Sequence, residues 1–457
     1  MATFFGADDI WTKRIEGDEK EKVLLVGVWE TSGKDYESEK DFLHSLDELS
    51  ELSEACLLEV AGIITQQLPK VSSALYVGSG KAEKIAEAVE NMGAQRVIFN
   101  DTLSPSQLRN LQKLLKVPIM DRTRLILEIF ERRARTREAK LQVELAKLQY
   151  LKPRLIGLWE TQNRQGGASG SMSSKGEGET QLEIDRRTID HRLTELRNEL
   201  KEVSREREVQ RKKRQNSRLP LVALVGYTNA GKSSIMNAML EKWGDEETQE
   251  DRKVFEANML FATLDTTVRR IEVERGRAFL LSDTVGFIHK LPTALVEAFK
   301  STLEEVKEAD LILQVVDSSD EHCRDHIKVT KDTIAELGAG GIPMVTIYNK
   351  ADLCEGEKNY PRRGLSEGDV AGEKNLNIYI SAKEDASIEV LTEVVLERLE
   401  IGSVTRNFLI PYDKGMVTSF LMENARIEKM EYLGEGTAMT VSCDKAIADK
   451  AEKMLNA

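Results

Sequence analysis

The chain has 457 residues, of which 40% are hydrophobic and 31% charged, and its formal net charge is −13. This length excludes a single hydrophobic core, and the acidic balance argues against nucleic-acid binding by the protein as a whole. No apolar run reaches the roughly 18–20 residues that span a bilayer, and the N-terminus lacks the basic and apolar regions of a secretory signal. The cysteines form no CxxC pair, which favours a reducing compartment over a disulfide framework; they are Cys56, Cys323, Cys354 and Cys443. We expect a cytoplasmic protein without a membrane span, and we expect it to be a monomer.

Residues 1–120 mix short apolar segments (KVLLVGVW, LLEVAGII, ALYVG and RVIFN) with helical patterns (KAEKIAEAVENMG and PSQLRNLQKLL). This mixture predicts a small N-terminal α/β subdomain with ALYVG as one of its strands. Within it, YVGSGKAEK at 76–84 matches a phosphate loop only in part, since the first glycine is misplaced and neither Ser nor Thr follows Lys81. We interpret this segment as a strand-to-helix turn, with an anion-binding nest as the alternative.

Residues 121–216 contain two long helical patterns joined by RQGGASGSMSSKGEGE, a Gly/Ser-rich segment too flexible for regular structure. The first helix has apolar residues on one face, at Leu141, Leu145 and Leu148. The second has a seam with heptad steps of four and three residues, formed by Ile189, Leu193, Leu196, Leu200 and Val203. The pattern predicts an antiparallel helical hairpin with a glycine-rich loop.

Basic residues are concentrated in this hairpin. Residues 130–218 carry a net charge of +8, which leaves −21 for the rest of the chain. Such a basic region on an acidic protein is typical of binding to a phosphate backbone, and the alternative is the solvated face of a coiled coil. The glycine-rich loop favours the first interpretation, because a flexible tip on a basic stem can enter folded RNA.

Residues 217–400 alternate strand and helix patterns, which predicts a mainly parallel sheet with helices on both faces. Residues 401–457, with NFLIPY, AMTVSC and KAIADKAEKML, predict a small C-terminal α/β domain. The predicted fold class is therefore multidomain α/β.

The segment LVALVGYTNAGKSS has the GxxxxGK[ST] spacing of a phosphate-binding loop between a buried strand and a helix. Gly226 and Gly231 let backbone amides close around phosphates at the helix N-terminus. Lys232 is placed to reach the β- and γ-phosphate oxygens, and the hydroxyl of Ser233 to bind Mg²⁺. The alternative is a chance glycine-rich turn, against which strand, spacing and helix all argue. The sequence thus predicts a P-loop domain that binds a nucleoside triphosphate.

Two later segments predict that the base is guanine. YNKAD places Asn349, Lys350 and Asp352 after an apolar strand, at the edge where open α/β sheets bind ligands. A carboxylate there accepts two hydrogen bonds from guanine, and adenine offers no such pair. ISAK, which contains Ser381 and Lys383, follows the next strand and can supply backbone amides to the guanine oxygen.

The segment SDTVGFIHK predicts the switch that contacts the γ-phosphate. Asp283 can hold Mg²⁺ through water, and the amide of Gly286 can meet the γ-phosphate. Upstream, FATLDTT offers Thr263 as the residue that closes over Mg²⁺, with Thr266 and Thr267 as alternatives.

Phe287 follows the DxxG motif, where Ras-like enzymes have a glutamine that positions the attacking water. A phenyl ring cannot do this, so we expect weak hydrolysis by the protein alone. The ring either packs onto the domain or retracts from the site. The missing group, or the ordering of the loops, must come from elsewhere in the chain or from a partner.

The predicted site residues fall into three groups. The residues predicted to act in catalysis are Lys232, Thr263 and Gly286. The predicted metal ligands are Ser233 and Thr263. The residues predicted to contact the nucleotide are Gly226, Tyr227, Thr228, Asn229, Ala230, Gly231, Lys232, Ser233, Phe261, Ala262, Thr263, Leu264, Asp265, Asp283, Thr284, Val285, Gly286, Asn349, Lys350, Ala351, Asp352, Ser381, Ala382 and Lys383.

These motifs resemble, in the same order, those of the HflX family of translation-associated GTPases. GEGETQLEIDRR resembles the family's glycine-rich signature, and GSGKAEKI, DRTRLILEIF and ELAKLQYLKPRL resemble its N-terminal domain. The chain differs at Glu177 and Thr266, where the family usually has proline. The first difference bears on the stiffness of the loop and the second on the shape of the switch.

The resemblance implies a GTPase that uses Mg²⁺ and GTP, binds the large ribosomal subunit and its rRNA, and is stimulated by it. It implies that stalled ribosomes are split into subunits, with the glycine-rich loop and hairpin near the peptidyl-transferase region. The family also has a hydrophobic residue after DxxG, so activation would come from the bound ribosome.

Two other functions remain open. GSGK is the only hint of an ATP-driven RNA-remodelling module in the N-terminal region, and no partner acid motif accompanies it. The heptad helices could instead make the protein a GTP-gated scaffold that binds another protein without RNA contact.

Overall fold

A computed structural model describes most of the chain, in the ranges 20–33, 36, 38–165, 184, 186–205, 219–244, 261, 267–273, 277–290, 295, 305–354, 359–367, 374–399 and 403–456. Three β-sheets form in this part of the chain, and we call them the N-terminal, central and C-terminal sheets. Across the same ranges, no helix combines the length and apolar character that crossing a bilayer requires.

The N-terminal sheet has, among the described residues, four parallel strands in the order β2–β1–β3–β4. Parallel sheets are covered on both faces, and β1 is accordingly buried along most of its length. The strands are β1 (Lys22–Glu30), β2 (Glu59–Leu68), β3 (Arg96–Phe99) and β4 (Ile119–Asp121). The helices are α1 (Glu39–Ala55), α2 (Ser79–Met92), α3 (Pro105–Leu115) and α4 (Arg122–Arg133).

Local sequence sets where these elements begin. Ser38 and Asp41 form a capping box, which fixes the start of α1. The predicted strand ALYVG is wrong, because residues 73–75 form a turn that is closed by a bridge between Ser72 and Tyr76. Tyr76 has a φ of 66°, which an extended strand does not allow, and helix α2 follows directly.

The helical hairpin consists of α5 (Arg137–Gln165) and α6 (residues 186–205). Ion pairs between Glu144 and Arg192 at 2.8 Å and between Arg137 and Glu199 at 3.7 Å show that the helices are antiparallel. The buried seam is the one that the heptad spacing predicts, with Leu141, Leu145, Ile189, Leu193 and Leu196 inside. The glycine-rich loop lies outside the described residues.

The central sheet has seven strands among the described residues, in the order β10–β11–β9–β8–β5–β7–β6. The five inner strands are parallel and the two edge strands antiparallel. The strands are β5 (Leu221–Gly226), β6 (Thr267–Val273), β7 (Arg277–Asp283), β8 (Leu311–Asp317), β9 (Met344–Asn349), β10 (Arg362–Glu367) and β11 (Lys374–Tyr379). The helices are α7 (Lys232–Trp243), α8 (Cys323–Glu336) and α9 (Asp385–Leu399). The carboxyl ends of the inner strands therefore meet at one edge, where ligands bind in such sheets.

The C-terminal sheet is antiparallel, in the order β12–β14–β13, and two helices complete its core. The strands are β12 (Ser403–Ile410), β13 (Arg426–Leu433) and β14 (Gly436–Asp444). The helices are α10 (Gly415–Asn424) and α11 (Lys445–Asn456).

A single hydrophobic cluster joins the N-terminal and central sheets. It contains Phe42 and Leu46 of α1 together with Tyr227, Val285 and Phe287 from the loops after β5 and β7. The predicted phosphate loop and switch therefore pack directly on the N-terminal part of the protein.

Candidate active site

The loop after β5 has a backbone that only glycine permits at two positions. Gly226 has a φ of 150°, and a Cβ there would lie 2.1 Å from the carbonyl oxygen of Val315. Gly231 has a φ of 94°, and its Cβ would lie 2.2 Å from Nδ2 of Asn349. Because α7 begins at the next residue, Lys232, the amides of the loop and of the helix N-terminus can face one bound phosphate.

Lys232 is buried inside this loop. Its Nζ donates to the carbonyl oxygens of Gly226 at 3.1 Å and Tyr227 at 2.7 Å. Burial lowers the pKa of Lys232 to about 8, although the nearby carboxylate of Asp283 acts in the opposite direction. The amine is thus a buried cation held by two carbonyls, and phosphate oxygens would stabilise its charged form.

Ser233 and Asp283 bring two oxygen ligands together. The hydroxyl of Ser233 donates to Oδ2 of Asp283 at 2.7 Å, and Asp283 is fully buried at the end of β7. Hydroxyl and carboxylate oxygens are the donors that Mg²⁺ prefers, so the two residues fit that ion. Thr284 holds the end of β7 in place by donating its hydroxyl to the carbonyl oxygen of Leu224 at 2.7 Å.

The DTVGF segment lies against the phosphate loop. The amide of Phe287 donates to the carbonyl oxygen of Gly226 at 3.1 Å, and the amide of Thr228 donates to that of Phe287 at 2.8 Å. A Cβ at Gly286 would lie 2.8 Å from Cγ2 of Thr228 and 3.0 Å from Nζ of Lys232. The backbone of this glycine therefore borders the predicted phosphate site.

The ring of Phe287 is buried in the cluster shared with the N-terminal sheet, with 3% of its surface exposed. This apolar ring has no group that could orient a water. Its position matches the first of the two roles that the sequence left open, packing onto the domain.

Asn349 connects three segments of the predicted site. Its Nδ2 donates to the carbonyl oxygen of Ala230 at 2.9 Å, and its Oδ1 accepts from the amide of Ala382 at 3.0 Å. Lys350 follows with a φ of 60° and pairs with Asp317 at 2.7 Å. The hydrogen bonds of Asn349 thus fix the positions of the phosphate loop, NKAD and SAK relative to one another.

Asp352 lies beside this arrangement, with Lys383 at 3.5 Å. Burial raises the pKa of Asp352, but hydrogen bonds from Ser381 and from the backbone and the charge of Lys383 outweigh it and bring the pKa below its usual value. The group is therefore an ionised acceptor at neutral pH, as recognition of guanine requires.

The upstream switch is only partly described. Ala262, Thr263, Leu264 and Asp265 lie outside the described residues. Phe261 packs edge-on against Phe130 of α4 with ring centroids 4.6 Å apart, in the shared hydrophobic cluster and not in the phosphate loop.

The sequence interpretation missed two polar residues that contact the site from helices α1 and α4 of the N-terminal part. The hydroxyl of Tyr227 hydrogen-bonds to Glu48 of α1 and accepts from the amide of His289. Arg122 pairs with Glu48, and its Nη2 donates to the carbonyl oxygen of His289 at 3.2 Å. The only signal for this contact was a charged residue at the start of the largely apolar segment DRTRLILEIF.

Three known sequence families match successive parts of the chain. Residues 43–131 match the family described as GTP-binding GTPase N-terminal, and residues 133–214 match GTP-binding GTPase Middle Region. Residues 221–350 match the family described as 50S ribosome-binding GTPase.

Individual relatives extend the match to almost the whole chain. The chain is 41% identical to GTPase HflX of Caldanaerobacter subterraneus subsp. tengcongensis, over 93% of its own length and 92% of that protein. The chain belongs to the HflX family of GTPases. It is also 38% identical to GTPase HflX of Escherichia coli, over 94% of its length and 95% of that protein. Membership in the HflX family makes the chain a GTP-binding protein and a GTP hydrolase, with its P-loop domain on the central sheet.

Among solved structures, a GTP-binding protein from Sulfolobus solfataricus in complex with GDP is similar. The identity is 22%, the match covers 83% of this chain and 99% of that chain, and the TM-score is 0.41.

Proposed function

We propose that this HflX GTPase binds the large ribosomal subunit, hydrolyses GTP faster when bound, and splits or recycles stalled ribosomes. The observation that carries the proposal is the match of residues 221–350 to the family described as 50S ribosome-binding GTPase. The basic hairpin beside that domain supports it, because ribosomal RNA presents a dense array of phosphates.

In this proposal the phosphate loop holds GTP through its backbone amides and Lys232, and Asp352 selects guanine. Ser233 and Thr263 would hold Mg²⁺ directly and Asp283 would hold it through water, with Thr263 contributed by the loop outside the described residues. When bound, the ion would supply positive charge that stabilises the charge developing on the phosphate oxygens. The amide of Gly286 contacts the γ-phosphate.

The burial of Phe287 supports a role for a partner in hydrolysis. The residue after DxxG, Phe287, cannot orient a water. Its ring is buried in the shared hydrophobic cluster. Electrostatic stabilisation and positioning provide nearly all the catalysis of phosphoryl transfer. We therefore infer that the ribosome completes the site, either with a group of its own or by ordering the switch loops.

The charges of the hairpin limit where RNA can bind. Several cations in its described part pair with acids of the protein itself, as Arg192 does with Glu144 and Lys152 with Asp190. The sequence RKKR at 211–214 adds four cations outside the described residues. The proposal therefore places RNA contacts mainly on the glycine-rich loop and on this basic run.

Deleting residues 166–178 tests the proposal. The deletion spares every residue of the nucleotide site, so we expect basal GTP hydrolysis to be unchanged and stimulation by purified large subunits to be lost. A Gly/Ser segment of the same length serves as the control that separates loop sequence from loop length. Full stimulation of the deleted protein would show that the loop does not sense the ribosome.

The internal ion pairs of the hairpin favour a second candidate, a GTP-gated scaffold that binds another protein. Contacts with phosphates weaken steeply as salt rises, whereas an apolar helix interface does not. Binding to ribosomal subunits at increasing salt concentrations separates the two, and insensitivity to salt would favour the scaffold.

A further inference from the structure

Three of the chain's five histidines meet where the N-terminal and central sheets face each other. His44 belongs to α1, and His322 and His326 lie at the start of α8. The rings of His44 and His322 stack with centroids 4.0 Å apart, and those of His44 and His326 lie 5.7 Å apart. None of these residues belongs to the nucleotide site described above.

His44, His326 and Asp320 each offer one ligand atom, and these atoms lie within 4.8 Å of one another. The backbone amide of His322 donates to Oδ1 of Asp320 at 2.8 Å, which orients the carboxylate. The other oxygen, Oδ2, lies 3.6 Å from Nδ1 of His326. An oriented carboxylate and two imidazoles thus lie close enough together to share one metal ion.

The imidazole of His326 is suited to bind a metal. The residue is buried, and its ring stacks on that of Tyr227, which holds it in one orientation. A ring that is already ordered loses little further side-chain freedom when it binds an ion.

We propose that His44, Asp320 and His326 bind a divalent transition-metal ion such as Zn²⁺. Two imidazoles and one carboxylate are a typical ligand set for Zn²⁺, whereas Mg²⁺ and Ca²⁺ prefer oxygen ligands alone. Three protein ligands leave one tetrahedral position for water, so the ion exchanges with solvent more easily than in a closed four-ligand site.

A metal ion bound at this place would affect the protein in two ways. Its ligands come from α1 on one side and from the β8–α8 region on the other, so the ion joins the N-terminal part of the protein to the GTPase domain. The ring of His326 also stacks on Tyr227 of the phosphate loop, with centroids 3.8 Å apart. Metal binding therefore fixes a ring that supports the nucleotide site.

A second group of three, Asp41, His322 and Asp325, lies nearby among the described residues. It has one imidazole and two carboxylates, and Asp325 is largely exposed. We favour the first group because it has two imidazoles and because His326 is buried. If the first group binds the ion, Asp320 is a ligand, and if the second group does, Asp325 is. The experiment therefore compares substitutions of these two aspartates.

The test titrates Zn²⁺ alone into the full-length protein, stripped of metal, in competition with a chromophoric chelator. We expect one ion per chain. His44→Asn and Asp320→Asn each change one ligand on opposite sides of the junction, and each should weaken binding by about tenfold or more, since even groups that only support ligands have effects of that size. Asp325→Asn and His191→Asn, the matched controls, should bind like the unaltered protein.

X-ray absorption at the zinc edge provides the second measurement. Nitrogen and oxygen ligands without sulfur are expected, and a sulfur ligand near 2.3 Å would assign the ion to a cysteine such as Cys323 and overturn the proposal. The proposal also fails if the unaltered protein binds Zn²⁺ no more tightly than both ligand variants, or if Asp325→Asn loses as much affinity as Asp320→Asn.

Discussion

We propose that the choice of base depends on Asp352. Its carboxylate is ionised at neutral pH and lies beside the Asn349 arrangement that also holds the phosphate loop. An acceptor in this position would match the two donors on the Watson–Crick edge of guanine, and Asp352 is the only acidic residue in the NKAD and SAK segments.

Asp352→Asn should therefore change the base preference from guanine toward xanthine. An amide presents a donor to the guanine edge, so the affinity for GTP should fall by about a hundredfold or more, and XTP should bind better than GTP. Competition titrations with both nucleotides measure this. Glu384→Gln, which changes an exposed acid nearby, should have no effect, and a variant of Asp352 that still prefers GTP would remove the residue from base recognition.

Lys232 should take up a proton when GTP binds. With a pKa of about 8 in the free protein, about half of the amines are neutral at pH 8, and phosphate oxygens restore the charged form. We expect an uptake of about half a proton per GTP at pH 8 and about a tenth at pH 7. Calorimetry in buffers with different ionisation enthalpies gives these numbers, and equal uptake at both pH values would contradict the burial effect.

The sequence predicts the structural roles of some single residues but not of others. Gly226, Gly231 and Asn349 could be placed because their motifs are local and each residue type has a physical reason at its position. The role of Glu48 could not be predicted, because its contact with Tyr227 joins residues 179 positions apart. Neither segment contains a motif that indicates contact with the other.

At the scale of elements, the hairpin depends on its buried seam. Leu196 is fully buried between α5 and α6, and Asn198, two residues later, is exposed. Leu196→Ala should lower the free energy of unfolding by about 2–5 kcal/mol, because the lost methyl groups leave a cavity that the helices cannot close fully. Denaturant unfolding followed by circular dichroism measures the loss. Asn198→Ala is the matched control, and equal stability of the two variants would show that the helices do not pack through this seam.

The order of elements in the central sheet was predictable because strand and helix patterns alternate there. The pairing of its edges was not, since β6 and β10 run antiparallel to their neighbours and a strand's side-chain period carries no information on direction. The prediction of ALYVG as a strand was wrong for a similar reason, because five apolar residues are compatible with a packed turn as well as with a strand. The divisions of the chain at 120, 216 and 400 stay predictions.

At the scale of the whole molecule, a buried ion pair joins the N-terminal sheet to the nucleotide site. Arg122 is 2% exposed and Glu48 7% exposed, and the pair contacts Tyr227 and His289 on the central sheet. A shift of Tyr227 or His289 would therefore change the contacts of this ion pair, and a shift of the ion pair would change theirs. We infer that nucleotide state and the packing of the N-terminal sheet are coupled through these four residues.

Glu48→Leu tests this junction. The change leaves the guanidinium of Arg122 buried without its carboxylate, which should cost about 3–5 kcal/mol of stability. Because Tyr227 loses its acceptor at the same time, the affinity for GTP should also fall, and added GTP should raise the unfolding temperature less than it does in the unaltered protein. Glu51→Leu makes the same change on the exposed side of the same helix. It should lower neither the stability nor the affinity for GTP. If both variants unfold at the same temperature with and without GTP, the ion pair does not link the two parts of the protein, and the shared hydrophobic cluster alone must hold them together.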